Sequence, residues 1–193
     1  MTPPLVLHSA AAHDLVDAVL IGWAAAELLL RLVNLGGRTA FDWTFLLVVA
    51  FVGAGINLAF RAADVRAADF GGGWVPVIAG TAIAVAGIAF RIWAILTLGR
   101  FFKFVVVIQE GHRVIDRGPY RLLRHPSYTG GLVALLGIGL TLANWLSILA
   151  ATLIPLVAIL VRIKIEEARL VAALGQDYLD YAARTRRLVP GIW

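Results

Sequence analysis

The sequence of 193 residues contains no cysteine. That excludes disulfides, thiolate metal sites and a thiol nucleophile. Charge is scarce as well: 15% of the residues are Asp, Glu, Lys or Arg, where a soluble domain carries roughly a quarter. No H-E-x-x-H, no Walker loop and no G-x-G-x-x-G after a strand occurs. Zincin chemistry and a soluble-type nucleotide fold therefore have no footing. His112 and His125 lack a metal-ligand pattern, and no metal is expected. The first 14 residues have no positive stretch, so a secretory leader is not expected either.

What remains is apolar. Hydrophobic residues make up 61% of the chain and the mean hydropathy is +0.87. Apolar runs of about 17–25 residues, long enough to cross a bilayer, recur along it. They predict an all-α integral membrane protein with five transmembrane helices, roughly at 15–33, 43–60, 74–98, 127–143 and 145–163. The fourth is near the lower length limit. The fourth and fifth are parted only around Asn144, which predicts a tight helical hairpin. Between the second and third, "RAADVRAADFGGGW" (61–74) is a polar, glycine-rich connection whose end is a turn. Gly53, Gly130, Gly131, Gly137 and Gly139 predict close helix packing. Beyond residue 163, Leu170, Leu174 and Leu179 recur at helical spacing with Gly175 as an interruption. That pattern predicts an extension of the fifth helix, a break, then a short amphipathic helix.

Positive charge sets the orientation. Alternating five spans places 14 of the 17 Lys and Arg on one side and two on the other, with Arg91 inside the third helix. The N-terminus is expected outside and the C-terminus in the cytosol. The net charge of +5 then reflects this bias and contact with anionic membrane lipid, and no nucleic-acid partner is expected. The 99–126 connection and the 164–193 tail hold most of the polar chemistry and predict a cytosolic cap.

Within that cap, "GPYRLLRHPSYTGG" (118–131) concentrates rings, arginines and fixed backbone angles. Proline is favoured in the first helical turn, where its missing N–H would be unpaired anyway. His125 is therefore placed at the start of the fourth helix and Tyr128 in its first turn, near unpaired N–H groups and the positive end of the helix dipole. Such a site suits an anion; equally, Tyr and Arg are ordinary interface anchors. Arg162 and Glu166 share a face of the fifth helix at i,i+4, with Glu167 beside them. The plain reading is a surface ion pair worth about 0.2–0.5 kcal/mol. Ionisable groups near a bilayer are also candidate site residues, because they are costly unless they face a cavity or one another. Glu27 and Arg31 have the same spacing and are read as a surface pair. Arg91 is expected to reach toward the cytosol.

Taken together, "GHRVIDRGPYRLLRHPSYTGG" (111–131), the hairpin at Asn144 and "RIKIEEARLVAALGQDYLDYAARTRRLVP" (162–190) resemble the isoprenylcysteine carboxyl methyltransferase family. The resemblance covers about residues 95–193 and divides the chain into transmembrane helices one to three (1–98) and a methyltransferase core (99–193). It implies methyl transfer from S-adenosylmethionine, bound on the cytosolic side, to the carboxylate of a prenylcysteine-like or other lipophilic acceptor. Carried over residue by residue, it implies that His112, Arg113, Val114 and Ile115 line the cofactor pocket and that Tyr120 contacts the cofactor. His125, Pro126, Ser127 and Tyr128 hold its amino-acid end, and Glu166, with Glu167 as a neighbour, pairs with its ammonium. Arg162 faces the methyl acceptor as catalytic and substrate-binding residue. The sequence departs from eukaryotic members at Lys164 and Ile165, where an acidic run often continues, and at Asn144-Trp145, where many have Asn-Pro. The short chain and tight loops suggest a prokaryotic inner membrane. Three other readings stay open: phospholipid N-methylation, an NADPH-dependent reductase of the sterol type, and a non-catalytic membrane scaffold.

Overall fold

The computed structural model describes residues 4–33, 42–99 and 114–191. The described residues are helical almost throughout. Six helices run in the order α1 (Ala10–Val33), α2 (Trp43–Ala62), α3 (Trp74–Leu98), α4 (Pro126–Thr141), α5 (Trp145–Leu174) and α6 (Gln176–Arg184). All five expected spans are helices, with ends shifted by a few residues. Three of them, α2, α3 and α5, are long and apolar enough to cross a membrane by length and composition. The chain is an integral membrane protein. The other two fall short for different reasons: α1 carries Asp14, Asp17, Glu27 and Arg31, and α4 has only 16 residues, about 24 Å of helix.

Neighbours in the bundle follow the order α1, α3, α4, α5, α2. The short α4 is central, and most of its residues are buried, including Gly130, Ala134, Gly137 and Thr141. Small residues bring its backbone against α3. A Cβ on Gly137 would sit 2.4 Å from the Ala84 nitrogen, and one on Gly130 would sit 2.7 Å from the Arg91 nitrogen. Without a hydrophobic force between helices in lipid, such backbone approach supplies the packing energy. Gly139 makes the same kind of contact with Ile148 of α5, and Gly55 of α2 lies against Ala150 and Pro155. Gly131 is only at ordinary contact distance, and Gly53 faces open space, so the packing expectation does not hold for those two.

The hairpin between α4 and α5 is as tight as expected. Ala143 turns the chain at φ 48, and the Asn144 side chain caps α5 by accepting from the Ser147 nitrogen at 3.1 Å. Its amide donates to the Val65 carbonyl at 3.1 Å and to Asp69 Oδ1 at 2.9 Å. The hairpin is thereby tied to the connection between α2 and α3. At its other end, α5 runs on for 30 residues, about 45 Å, well beyond a hydrocarbon core of about 30 Å. Gly175, at φ 56, ends it and starts α6. The buried side of α6 is Tyr178 and Tyr181, whereas Leu179 is 46% exposed. The aromatic rings, not the leucine, are what α6 buries.

Candidate functional site

The stretch before α4 is held by the chain's far end. Gly118–Arg121 forms one short 3-10 turn. After it, residues 122–125 run beside 185–188: the Arg124 nitrogen donates to the Arg186 carbonyl at 2.7 Å and the His125 nitrogen to that of Arg187 at 3.1 Å. Tyr181 Oη donates to the Tyr120 carbonyl at 2.9 Å. Thr129 Oγ1 donates to the Leu188 carbonyl at 2.8 Å. Pro126 takes the first position of α4 with His125 just ahead of it, as expected, and both are buried.

Two adjacent carboxylates of α5 meet this stretch, and their surroundings differ. Glu167 is enclosed: it accepts from Arg124 Nε at 2.8 Å and Arg187 Nε at 2.9 Å, with His125 Nε2 at 3.3 Å. Glu166 accepts from Tyr128 Oη at 2.9 Å and has His125 Nδ1 at 3.9 Å. Its side chain is 30% exposed, against 14% for Glu167. The His125 and Tyr128 rings stack, with centroids 5.6 Å apart, so both face the same carboxylate pair.

Arg162 and Glu166 are joined through Tyr128 in place of the plain i,i+4 ion pair. Arg162 Nε donates to Tyr128 Oη at 2.7 Å, and that hydroxyl donates onward to Glu166. Arg162 also reaches α2. Its Nη1 donates to Thr44 Oγ1 at 2.7 Å and to Asp42 Oδ2 at 3.3 Å. Asp42 in turn caps α2 by accepting from the Thr44 nitrogen at 2.9 Å. All three are buried, and a buried guanidinium needs a counter-charge and hydrogen-bond acceptors of this kind.

The structure therefore brings Tyr128, Arg162, Glu166, Glu167 and His125 into one hydrogen-bonded cluster. Ser127 adjoins it, its carbonyl accepting from Arg91 Nη1 at 3.0 Å. Tyr120 is buried beneath α6; burial first, then the Glu166 charge, pushes its phenol above the ordinary range, so it stays neutral. Val114 and Ile115 are half-buried and do not enter the cluster among the described residues. His112 and Arg113 lie outside the described residues.

Several members of the cluster were not singled out from sequence. Arg124 and Arg187 enclose Glu167, and Asp42 and Thr44 hold Arg162. The Asp-x-Thr pattern ahead of an apolar run marks a helix start, but nothing in its spacing indicates a partner 120 residues on. Tyr178 lies in the Gly-x-x-Tyr-x-x-Tyr pattern at 175–181 but carried no expected site role. Its hydroxyl is buried without a hydrogen-bond partner among the described residues. Burial, reinforced by Glu167 and Glu166, pushes this phenol up too. Glu27 pairs with Arg91 of α3, which is thereby kept in the bundle; its expected pairing with Arg31 falls on a side chain outside the described residues.

The chain is similar to known proteins in sequence and in fold. Residues 80–172 match the model of the isoprenylcysteine carboxyl methyltransferase family. A probable protein-S-isoprenylcysteine O-methyltransferase of Oryza sativa subsp. indica is 35% identical over 121 residues, 62% of this chain and 63% of that protein. Protein-S-isoprenylcysteine O-methyltransferase B of Arabidopsis thaliana is 34% identical over 113 residues, 58% of this chain and 57% of that one. The chain thus spans less than two thirds of the length of these curated relatives. The fold is similar to that of a solved eukaryotic intramembrane Ras methyltransferase, an isoprenylcysteine carboxyl methyltransferase. The TM-score is 0.69 at 24% identity, covering 97% of this chain and 70% of the other.

Proposed function

We propose that this chain is a member of the isoprenylcysteine carboxyl methyltransferase family and transfers a methyl group from S-adenosylmethionine to the carboxylate of a prenylcysteine-like or other lipophilic acceptor. The observation that carries the reading is the contrast between the two adjacent carboxylates. Glu167 is saturated by Arg124, Arg187 and His125 and holds the tail against α4. Glu166 is the more open of the pair and has a neutral hydroxyl as its near partner, which suits it to an incoming ammonium. The Tyr178 hydroxyl, without a partner among the described residues and under the influence of both carboxylates, is a second feature that fits a polar ligand beside them.

In this reading His125, Pro126, Ser127 and Tyr128 hold the amino-acid end of the cofactor, with Glu166 on its ammonium. Val114, Ile115 and Tyr120, with His112 and Arg113, line the remainder. When bound, the sulfonium supplies an electrophilic methyl group for in-line displacement. The residues then position and desolvate the reactants. A carboxylate acceptor is already a nucleophile at neutral pH, so no general base is required. Arg162 orients it through its N–H groups, in competition with Asp42, while Tyr128 keeps Arg162 and Glu166 in register.

The wider assignments follow the same reading. Five spans, with the N-terminus outside and the C-terminus in the cytosol, put the cluster at the membrane–cytosol boundary under a cap formed by residues 114–125 and 164–191. In a prokaryotic cell this is the inner membrane. Helices one to three (1–98) flank a methyltransferase core (99–193), and membrane lipid surrounds both. One observation favours a different acceptor within the same class: the Asp42 carboxylate beside Arg162 would attract a cationic amine, as in phospholipid N-methylation. The test is calorimetric titration of the detergent-purified protein with S-adenosylhomocysteine, with Glu166→Ala alongside. Saturable binding that disappears in the variant supports the proposal. Absence of binding, with or without a prenylcysteine analogue, refutes it.

A further inference from the structure

Arg91 sits within α3, about two turns from its end, where an isolated charge would be expensive. Two contacts account for it. Its Nε and Nη2 meet the two carboxylate oxygens of Glu27 on α1, the second at 3.0 Å. Its Nη1 donates to the Ser127 carbonyl at 3.0 Å. Ser127 lies in the first turn of α4, between His125 and Tyr128. The reach is possible because α3 and α4 touch backbone to backbone at this level: a Cβ on Gly130 would lie 2.7 Å from the Arg91 nitrogen and 2.9 Å from its Cα. Trp23 Nε1 donates to Glu27 Oε1 at 3.0 Å and fixes the carboxylate from its own helix.

We infer that Glu27 and Arg91 are positioning residues for the Arg-His-Pro-Ser-Tyr turn, so that α1, which lies outside the family-matched segment, sets the geometry of the site without touching a ligand. The inference rests on the proposed function for its ligand readout. A bidentate guanidinium–carboxylate pair has a fixed plane, and the one remaining arm of that plane is directed at the Ser127 carbonyl. Glu27 thereby aims Arg91, and Arg91 holds the turn that presents His125 and Tyr128 to Glu166. A pair whose role was only to neutralise a buried charge would work equally well with its members exchanged. A positioning pair would not, because the exchange puts a carboxylate where the donor to Ser127 has to be.

That difference supplies the test. The native protein, Glu27→Gln, Glu27→Arg and the exchanged double variant Glu27→Arg with Arg91→Glu are compared for thermal stability, and all but Glu27→Arg for S-adenosylhomocysteine affinity. Glu27→Gln should weaken binding by about tenfold, the scale of one charge-assisted hydrogen bond. The exchanged variant should recover stability relative to Glu27→Arg alone yet bind no better than Glu27→Gln. Native affinity in either variant overturns the inference. If the exchanged variant does not fold, Glu27→Gln carries the test alone. Failure of the native protein to bind S-adenosylhomocysteine refutes the cofactor reading instead. The positioning role is then read from the His125 ring resonance in histidine-labelled protein, assigned by its loss in His125→Gln. That resonance must move in Glu27→Gln, and an unmoved resonance overturns the inference.

Discussion

Removing one oxygen atom from Tyr128 should separate the two halves of the site. Its hydroxyl accepts from Arg162 Nε at 2.7 Å and donates to Glu166 Oε2 at 2.9 Å. In Tyr128→Phe the ring still packs against the cluster of Ile159, Ile163 and Leu188, so the packing term is nearly unchanged. Two hydrogen bonds to charged groups are lost, each worth about 1.5–3 kcal/mol. Part of that returns, because Arg162 and Glu166 are one helical turn apart and can close on each other directly. That closure is what damages function: Glu166 turns toward a guanidinium and away from an incoming ammonium. A net loss of about 2 kcal/mol in cofactor binding corresponds to about thirtyfold in Kd. Calorimetry with S-adenosylhomocysteine measures it, and a melting curve on the same preparation shows whether the fold has held. Affinity within twofold of native in a stably folded Tyr128→Phe would refute the claim that this hydroxyl keeps Glu166 aimed at the ligand.

Three further outcomes are expected. Glu167→Gln should cost stability more than binding: it leaves Arg124 and Arg187 without their shared carboxylate, at about 3 kcal/mol for a buried pair. Its melting temperature should fall well below that of Glu166→Gln, while Glu166→Gln shows the larger loss of ligand affinity. Gly137→Ala places a Cβ 2.4 Å from the Ala84 nitrogen and 2.5 Å from the Gly80 carbonyl. These are backbone atoms, so α3 and α4 must part by about 1 Å at about 1–3 kcal/mol, whereas Gly53→Ala, which meets nothing, should leave the melting temperature unchanged. Methyl transfer to a carboxylate acceptor should be flat between about pH 6 and 8, where the acceptor is already ionised. An amine acceptor must first lose a proton, so a rate that climbs with pH over that range would move the acceptor to the amine class.

How much of this was legible beforehand depended on the range of the interaction. Helix positions rest on runs of neighbouring residues: burying apolar side chains in lipid and closing backbone hydrogen bonds within the segment are local requirements. The five helices, the turn at Asn144 and the break at Gly175 follow from the chain alone. So does the start of α4, since Pro126 constrains its own φ and the residue before it. His125, Tyr128, Arg162 and Glu166 were recognisable from their pattern, and the structure gathers them.

What the chain could not determine alone were the partners. Spacing paired Arg162 with Glu166, because i,i+4 neighbours are the ones a sequence makes visible, and it offered Glu27 no partner on another helix. In the folded bundle Glu27 faces Arg91 from another helix, and Tyr128 stands between Arg162 and Glu166. The two acidic neighbours Glu166 and Glu167 are alike as sequence; they differ only because the returning tail brings Arg187 to one of them and Arg124 joins it there. A charge buried in a bundle takes its counter-charge from whichever helix packing places within reach. That choice is made by the small residues that let α3, α4 and α5 approach, and it exists only once they have met.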